Sequence, residues 1–160
     1  MDETKAMQQF LISVHMGSAT IRELEKQTQD VDTKRLWNEL LDSFSQHERQ
    51  IQKTMQQLGV EPKNKLRCRE KMAVCIEKMR AKNKSDFTLL LMGIDAVEMG
   101  IRGALQFLYD HDGMNPIFLH EAVEVVEDYD NLLTKLKDHA QDYLHLDQWK
   151  KKKNFEDVEE

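Results

Sequence analysis

Apolar residues recur along this chain at alternating intervals of four and three, the spacing that places side chains along one side of an α-helix. Three long segments with this pattern cover 3–29, 33–58 and 116–145, and a fourth begins at Ser85 and ends in the turn 112–116. No segment alternates apolar and polar residues with the period of two that a half-buried strand requires. The pattern predicts an all-α fold.

The segment that begins at Ser85 is the most apolar of the four. Its predicted core face comprises Phe87, Leu91, Ile94, Val97, Ile101, Ala104 and Leu108. The run 87–109 also contains Asp95, Glu98 and Arg102, each costing about 2.5–3.5 kcal/mol at a bilayer centre. We therefore do not expect it to span a membrane.

The lengths of the connections constrain the order of the helices. The first and third links are short, so the segments they join are antiparallel neighbours. The second link, 59–84, is long and has its own amphipathic pattern, which predicts a short helix of about four turns. The residues of this pattern are Leu66, Met72, Ile76 and Met79. A crossover of this length returns the chain to its starting end and predicts an up-down-down-up four-helix bundle.

Composition and charge limit the class of protein. A chain of 160 residues fits a single domain, and we expect a bundle domain over 1–146 and a charged, flexible tail over 147–160. The net charge of -6 argues against nucleic acid as a partner. No charged-then-apolar leader opens the chain, so the expected location is the cytoplasm. Cys68 and Cys75 lie about 10 Å apart by helical rise, too far for a disulfide, and are expected to be reduced.

The second helical segment carries a motif that resembles a known superfamily. The residues concerned are His47, Ile51, Leu58, Gly59, Glu61 and Pro62. They resemble the second helix of ferritin-like four-helix bundles, in which Glu-x-x-His is followed by an apolar residue and an exit marked by Leu-Gly and a nearby proline. The resemblance extends over about 3–145 and is closest to small bacterial members. It implies two iron or manganese ions held by a glutamate from the first and third helices and Glu-x-x-His from the second and fourth.

An internal repeat points to the same positions. The tetrapeptides VHMG at 14–17 and VEMG at 97–100 are nearly identical, and a shift of 83 residues places His15 on Glu98. With a one-residue gap in the short turn, His47 falls on Tyr129. The repeat indicates a duplicated helical hairpin whose variable residues occupy the positions where the superfamily has metal ligands.

The predicted metal ligands follow from this alignment and from their depth in the helices. They are His15, His47, Glu98 and Asp130, with Glu127 as a substitute for Asp130. Each lies near the middle of its segment, so all four are expected in one layer of the bundle. The dimetal motif is degenerate, because Phe44 stands where the second helix should have a glutamate.

Each candidate ligand also has an ordinary structural interpretation. His47 can be a buried core histidine with Tyr129 as its hydrogen-bond partner. His15 can be a half-exposed surface residue, Glu98 can pair with Arg102 one helical turn away, and Asp130 can be solvated.

Three glycines interrupt the segment that begins at Ser85. Gly93, Gly100 and Gly103 each cost about 0.8–1 kcal/mol relative to alanine in a helix. Room for an aromatic ring, such as that of Trp37 or Tyr129, would explain them, and so would the close approach of a second copy of the chain.

The chain ends in WKKKK at 149–153 followed by N and FEDVEE at 155–160. We expect a solvated end, because the acidic residues offset the lysines, with anionic lipid or nucleic acid as the alternative ligand.

These observations favour a non-enzymatic bundle that acts as a structural or protein-interaction module and associates with itself. No phosphate-binding glycine loop and no Gly-x-Ser-x-Gly elbow occurs, and we predict no catalytic residue and no cofactor. The alternative is a metal-binding or redox protein, in which a mononuclear or di-iron-like site within the bundle holds iron, manganese or zinc.

Overall fold

The computed structural model describes residues 2–63 and 66–144, and these residues form five α-helices and no strand. The helices are α1 (Glu3–Gln27), α2 (Val31–Gln57), α3 (Cys68–Ala81), α4 (Asp86–Asp110) and α5 (Pro116–Asp142). The all-α prediction is confirmed, including the short helix in the long second connection. The predicted tail, 147–160, lies outside the described residues.

The helices begin where a side chain can accept a hydrogen bond from the first turn. Ser85 Oγ accepts from the backbone N–H of Thr88 at the start of α4. At α2, the carboxylate of Asp30 accepts from the backbone N–H of Thr33 at 3.0 Å, so this helix begins two residues earlier than the sequence predicted. Asp30 is the N-cap residue of α2, and its carboxylate also accepts a hydrogen bond from the hydroxyl of Thr33.

Contacts between helix ends show how the helices lie together. The start of α1 lies beside the end of α2, where the side chain of Gln8 donates to the carbonyl of Glu61 and accepts from the backbone N–H of Lys63. The start of α4 lies beside the start of α2, where the Asp86 carboxylate accepts from the backbone N–H groups of Gln29 and Asp30. Both α2 and α4 therefore start at the same end of the molecule.

The remaining helices fill in this arrangement. The end of α5 lies at the start of α2, because Tyr143 Oη and Thr33 Oγ1 are 2.7 Å apart. At the opposite end, Phe10 of α1 packs against Phe107 of α4 and Phe118 of α5 with ring centroids 4.8 and 5.8 Å away. Helix α3 packs on α1, and the side chain of Gln27 donates to the carbonyl of Lys78 near its end.

The core lies between the four long helices, and one predicted core position is wrong. Leu91 was expected to face inward, but it is 43% exposed, whereas Leu89 and Leu90 are fully buried. The reason is that α4 carries apolar residues on both sides, so a four–three spacing can be drawn through either side.

Two glycines of α4 make room for aromatic rings, as the sequence predicted. A Cβ added at Gly93 would overlap the ring of Trp37, and one added at Gly100 would lie 2.9 Å from Cε2 of Tyr129. Gly103 differs, because no described residue lies within 4 Å of the Cβ position. The internal-packing explanation is confirmed for the first two glycines and does not apply to the third.

Candidate transmembrane segments are absent from the described residues, since no helix there combines the length and the hydropathy needed to cross a bilayer.

Candidate functional site

A layer of polar and aromatic side chains crosses the middle of the bundle. It comprises His15, His47, Glu48, Asp128 and Tyr129, from α1, α2 and α5; we call it the polar layer. It lies among buried neighbours such as Val14 and Phe44. Asp128 is the exception in this layer, because its side chain is 52% exposed. For the other polar groups, burial costs desolvation free energy unless they find partners.

The first pair of the polar layer joins α1 to α2. Nδ1 of His15 lies 3.0 and 3.2 Å from the two carboxylate oxygens of Glu48. The side chain of His15 is 34% exposed, as expected for a half-exposed histidine, and that of Glu48 is 13% exposed. This partly buried contact fixes the rotation of both side chains.

The second pair joins α2 to α5. Nε2 of His47 lies 2.7 Å from a carboxylate oxygen of Asp128, but the oxygen lies off the axis of the N–H bond, so the two groups are in close contact without an aligned hydrogen bond. His47 is buried, as predicted. Its polar partner is Asp128 and not Tyr129, whose ring packs edge-on at a centroid distance of 6.2 Å.

Tyr129 contributes the aromatic ring of the polar layer. Its ring packs against that of Phe44 at 4.9 Å between centroids and against the backbone of Gly100. Burial raises the pKa of the Tyr129 hydroxyl well above its usual value of 10, and the nearby negative charge of Glu48 raises it further. The hydroxyl therefore stays neutral at physiological pH.

A buried carboxylate lies nearer the start of α5. Glu121 is 7% exposed, and one of its oxygens accepts from the side chain of Gln50 on α2 at 3.1 Å. The other oxygen has no hydrogen-bond partner among the described residues. Together with the His47–Asp128 pair, this contact places polar side chains between α2 and α5.

The four predicted ligands do not converge on one point. His15 and His47 are paired with different carboxylates, and Glu98 lies 3.8 Å from the ammonium group of Lys137 rather than beside Arg102. Asp130 and its substitute Glu127 are exposed on α5.

This donor set does not fit the dimetal group that the resemblance implies. Among the described residues, no three histidine, cysteine, aspartate or glutamate side chains lie close enough together to hold a metal ion. A dimetal site requires several carboxylates and imidazoles with both ions in reach. The hypothesis of a mononuclear site at His15, His47, Glu98 and Asp130 stays a prediction.

The solvent side of α4 is a second candidate site. Its exposed residues are Leu91, Asp95, Met99, Arg102, Gly103, Leu105, Gln106, Tyr109 and Asp110, which we call the outer face of α4. Met99 is 69% and Tyr109 is 82% exposed, and Gly103 lies beside them. The sequence-based reasoning missed this face, because it assigned the apolar residues of α4 to one side. The signal in the sequence was that α4 has more apolar residues than one buried face of a helix can hold.

No protein-family model, curated protein or solved structure matches this chain. The molecule offers two candidate sites: the polar layer of paired side chains, and an outer face of α4 on which apolar and charged side chains are exposed together.

Proposed function

We propose that this protein is a non-enzymatic helical bundle that serves as a structural or protein-interaction module and associates with itself through the outer face of α4. The observation that carries this proposal is the exposure of Leu91, Met99, Leu105 and Tyr109 along one side of a single helix. Exposed apolar side chains that cluster on a protein surface mark interaction sites more often than isolated ones do.

The outer face of α4 is self-complementary. Leu91 and Tyr109 are eighteen residues, or five full turns, apart, so they lie on the same line along the helix. If two copies pack antiparallel about a two-fold axis near Met99, Asp95 of each copy lies within one residue, about 1.5 Å of helical rise, of the level of Arg102 of the other. Leu91 then lies within two residues, about 3 Å, of the level of Tyr109. An isologous dimer requires this kind of pattern, in which one surface matches itself.

Gly103 supports the same surface. It costs about 0.8–1 kcal/mol in helix propensity, and among the residues that the structure describes, none occupies the space it leaves. Close approach of a second helix offsets such a cost, because glycine lets two backbones come near each other.

We further propose the ferritin-like, up-down-down-up arrangement for the four long helices, with α3 in the crossover. It is supported by the contact of Asp86 with the start of α2 and by the packing of α3 along α1. In this proposal the polar layer occupies the level at which ferritin-like bundles hold metal ions. Its pairs now specify how the helices align, a role attested for buried polar groups in other bundles.

Mass in solution tests the proposed self-association. Met99→Lys places a charge at the centre of the outer face, and we expect it to weaken association at least tenfold, since burying an unpaired charge is costly. Val31→Lys is the matched control, because Val31 is 68% exposed against 69% for Met99 and lies at the start of α2. Sedimentation equilibrium over a range of concentrations gives both constants. A wild type that remains monomeric throughout would rule out the proposal.

The metal-binding alternative has its own test. If His47 is a ligand, protein purified without chelator carries iron, manganese or zinc in a stoichiometric amount, and His47→Ala loses it. A His120→Ala control removes a histidine whose side chain is 70% exposed. Equal metal content in wild type and in His47→Ala would eliminate His47 as a ligand.

A further inference from the structure

Helix α3 and the residues around it carry a charge opposite to that of the rest of the chain. Between Lys63 and Lys84 there are nine lysines and arginines and two glutamates, a local net charge of +7. The whole chain has a net charge of -6, so the remaining residues carry -13. Basic residues are therefore concentrated in the segment that contains α3.

The apolar side of α3 faces solvent. Met72, Ile76 and Met79 are 66%, 47% and 73% exposed, and their spacing of four and three places them on one line. The side against α1 contains small residues such as the half-buried Ala73 and the fully buried Ala81. This orientation is the reverse of that of an ordinary surface helix, which buries its larger apolar residues.

Cations border the apolar line on both edges. At 3.6 residues per turn, Arg69 and Arg80 lie roughly 60–80° to one side of Met72, and Lys71 and Lys78 lie roughly 100–120° to the other. All four are exposed. An apolar line between two rows of long cationic side chains is the pattern of helices that lie in the interface of a membrane.

We propose that α3 is a docking surface for an anionic lipid bilayer, on which it lies flat with Met72, Ile76 and Met79 inserted between the headgroups. The flanking arginines and lysines extend their apolar stems along the interface and place their charges at the level of the lipid phosphates. This binding is peripheral and does not depend on the proposed association through α4.

The shape of the surface favours a bilayer over other anionic partners. Because α3 packs on α1, its outer side is the free one, and a plane can cover that side without a groove. A protein groove deep enough to bury the apolar line would also remove the four cations from water, at a considerable cost. A nucleic acid would meet the cations but would offer phosphates to the three apolar side chains.

Vesicle flotation tests the proposal. We expect the full chain to float with phosphatidylcholine vesicles containing about one third phosphatidylserine, at least tenfold more tightly than with phosphatidylcholine alone, and to lose binding as salt rises. Equal affinity for both vesicles, or none for either, would overturn the proposal. So would equally tight binding to a soluble polyanion such as heparin, because charge alone would then suffice.

Two pairs of variants separate the apolar from the ionic contribution. Met79→Ser is expected to weaken binding about tenfold, whereas Val31→Ser, at a similar exposure of 68%, has no effect. Arg80→Gln is expected to weaken it about fivefold. Arg35→Gln is its control, since both arginines are exposed and each pairs with an acidic residue three positions earlier. Equal effects of variant and control would place the contact elsewhere on the molecule.

Cys75 reports directly on insertion, because it is an exposed thiol on the outer side of α3. With Cys68 changed to serine, a polarity-sensitive fluorophore on Cys75 should shift to shorter wavelength on anionic vesicles, and circular dichroism would verify that the labelled chain stays helical. Binding without that shift would overturn insertion. A shift that depends on protein concentration without vesicles would instead identify a second copy as the occupant and would equally overturn the proposal.

Discussion

The two sides of α4 use the same residue type for different purposes. On the inner side, Gly93 and Gly100 leave spaces that the rings of Trp37 and Tyr129 occupy. On the outer side, Gly103 leaves a space that no described residue occupies, beside the exposed side chains of Met99 and Tyr109. Internal packing explains a glycine whose space is filled by a ring of the same chain. A glycine whose space no described residue fills points to contact with a second molecule.

The inner side should be the more sensitive to change. Gly93→Ala is expected to lower the free energy of unfolding by about 1–3 kcal/mol, because the added methyl overlaps a buried ring and this cost exceeds the gain in helix propensity. The ring cannot move away easily, since the indole N–H of Trp37 donates to Thr28 Oγ1 at 2.8 Å. Urea unfolding measures the change.

A second substitution sharpens this result. In a Trp37→Leu background the overlap disappears, so Gly93→Ala should cost much less there than in the wild type. Additive effects of the two changes would mean that the ring and the glycine are not in contact.

The outer side should respond with the opposite sign. Gly103→Ala is expected to raise the free energy of unfolding of the monomer by up to about 1 kcal/mol, because alanine favours the helix and no residue within 2–63 or 66–144 lies near the added methyl group. The measurement belongs at concentrations where the chain is monomeric, since association adds apparent stability. A loss as large as that of Gly93→Ala would erase the distinction between the two sides.

Gly100→Ala should fall between these two. The added Cβ would lie 2.9 and 3.2 Å from ring atoms of Tyr129, a crowding that a small tilt of the ring can relieve. We expect a loss of about 0–1 kcal/mol in the same urea experiment. A gain equal to that of Gly103→Ala would show that the Tyr129 ring does not press on α4.

The smallest effect is a change in pH dependence. The pKa of Tyr129 is raised in the folded state, so the unfolded chain ionises first as the pH rises past 10, and stability that is fully present below pH 10 is lost above it. Tyr129→Phe removes this loss and should flatten the fall in stability above pH 10. Tyr109→Phe, at a position 82% exposed, should leave the fall unchanged. Identical alkaline profiles for the two variants would contradict the burial of the Tyr129 hydroxyl.

The sequence predicts the helices well and their surroundings less well. Helical spacing, caps such as Ser85 and the Gly-Pro turn are local signals, so they locate α4 and α5 to within a few residues. That a ring such as that of Trp37 would lie against a glycine of α4 could be anticipated, because glycine lowers helix stability and its presence there calls for a packing explanation.

The polar layer and the two exposed faces were harder to anticipate. Whether His47 pairs with Asp128 or with Tyr129 depends on helix rotation, which spacing leaves open by one residue. The exposure of Leu91 could not be read from a helix that is apolar on both sides. The basic character of α3 was hidden by the net negative charge of the chain, and a charge count over 63–84 reveals it.

Charge reversal on the outer face of α4 tests the central claim most directly. In the two-fold arrangement, Asp95→Arg places two arginines opposite each other, and Arg102→Asp does the same with two aspartates. We predict that each single variant sediments as a monomer where the wild type is dimeric, and that the double variant Asp95→Arg/Arg102→Asp regains the dimer. A double variant that associates no better than either single one, or a wild type that never associates, would contradict the account.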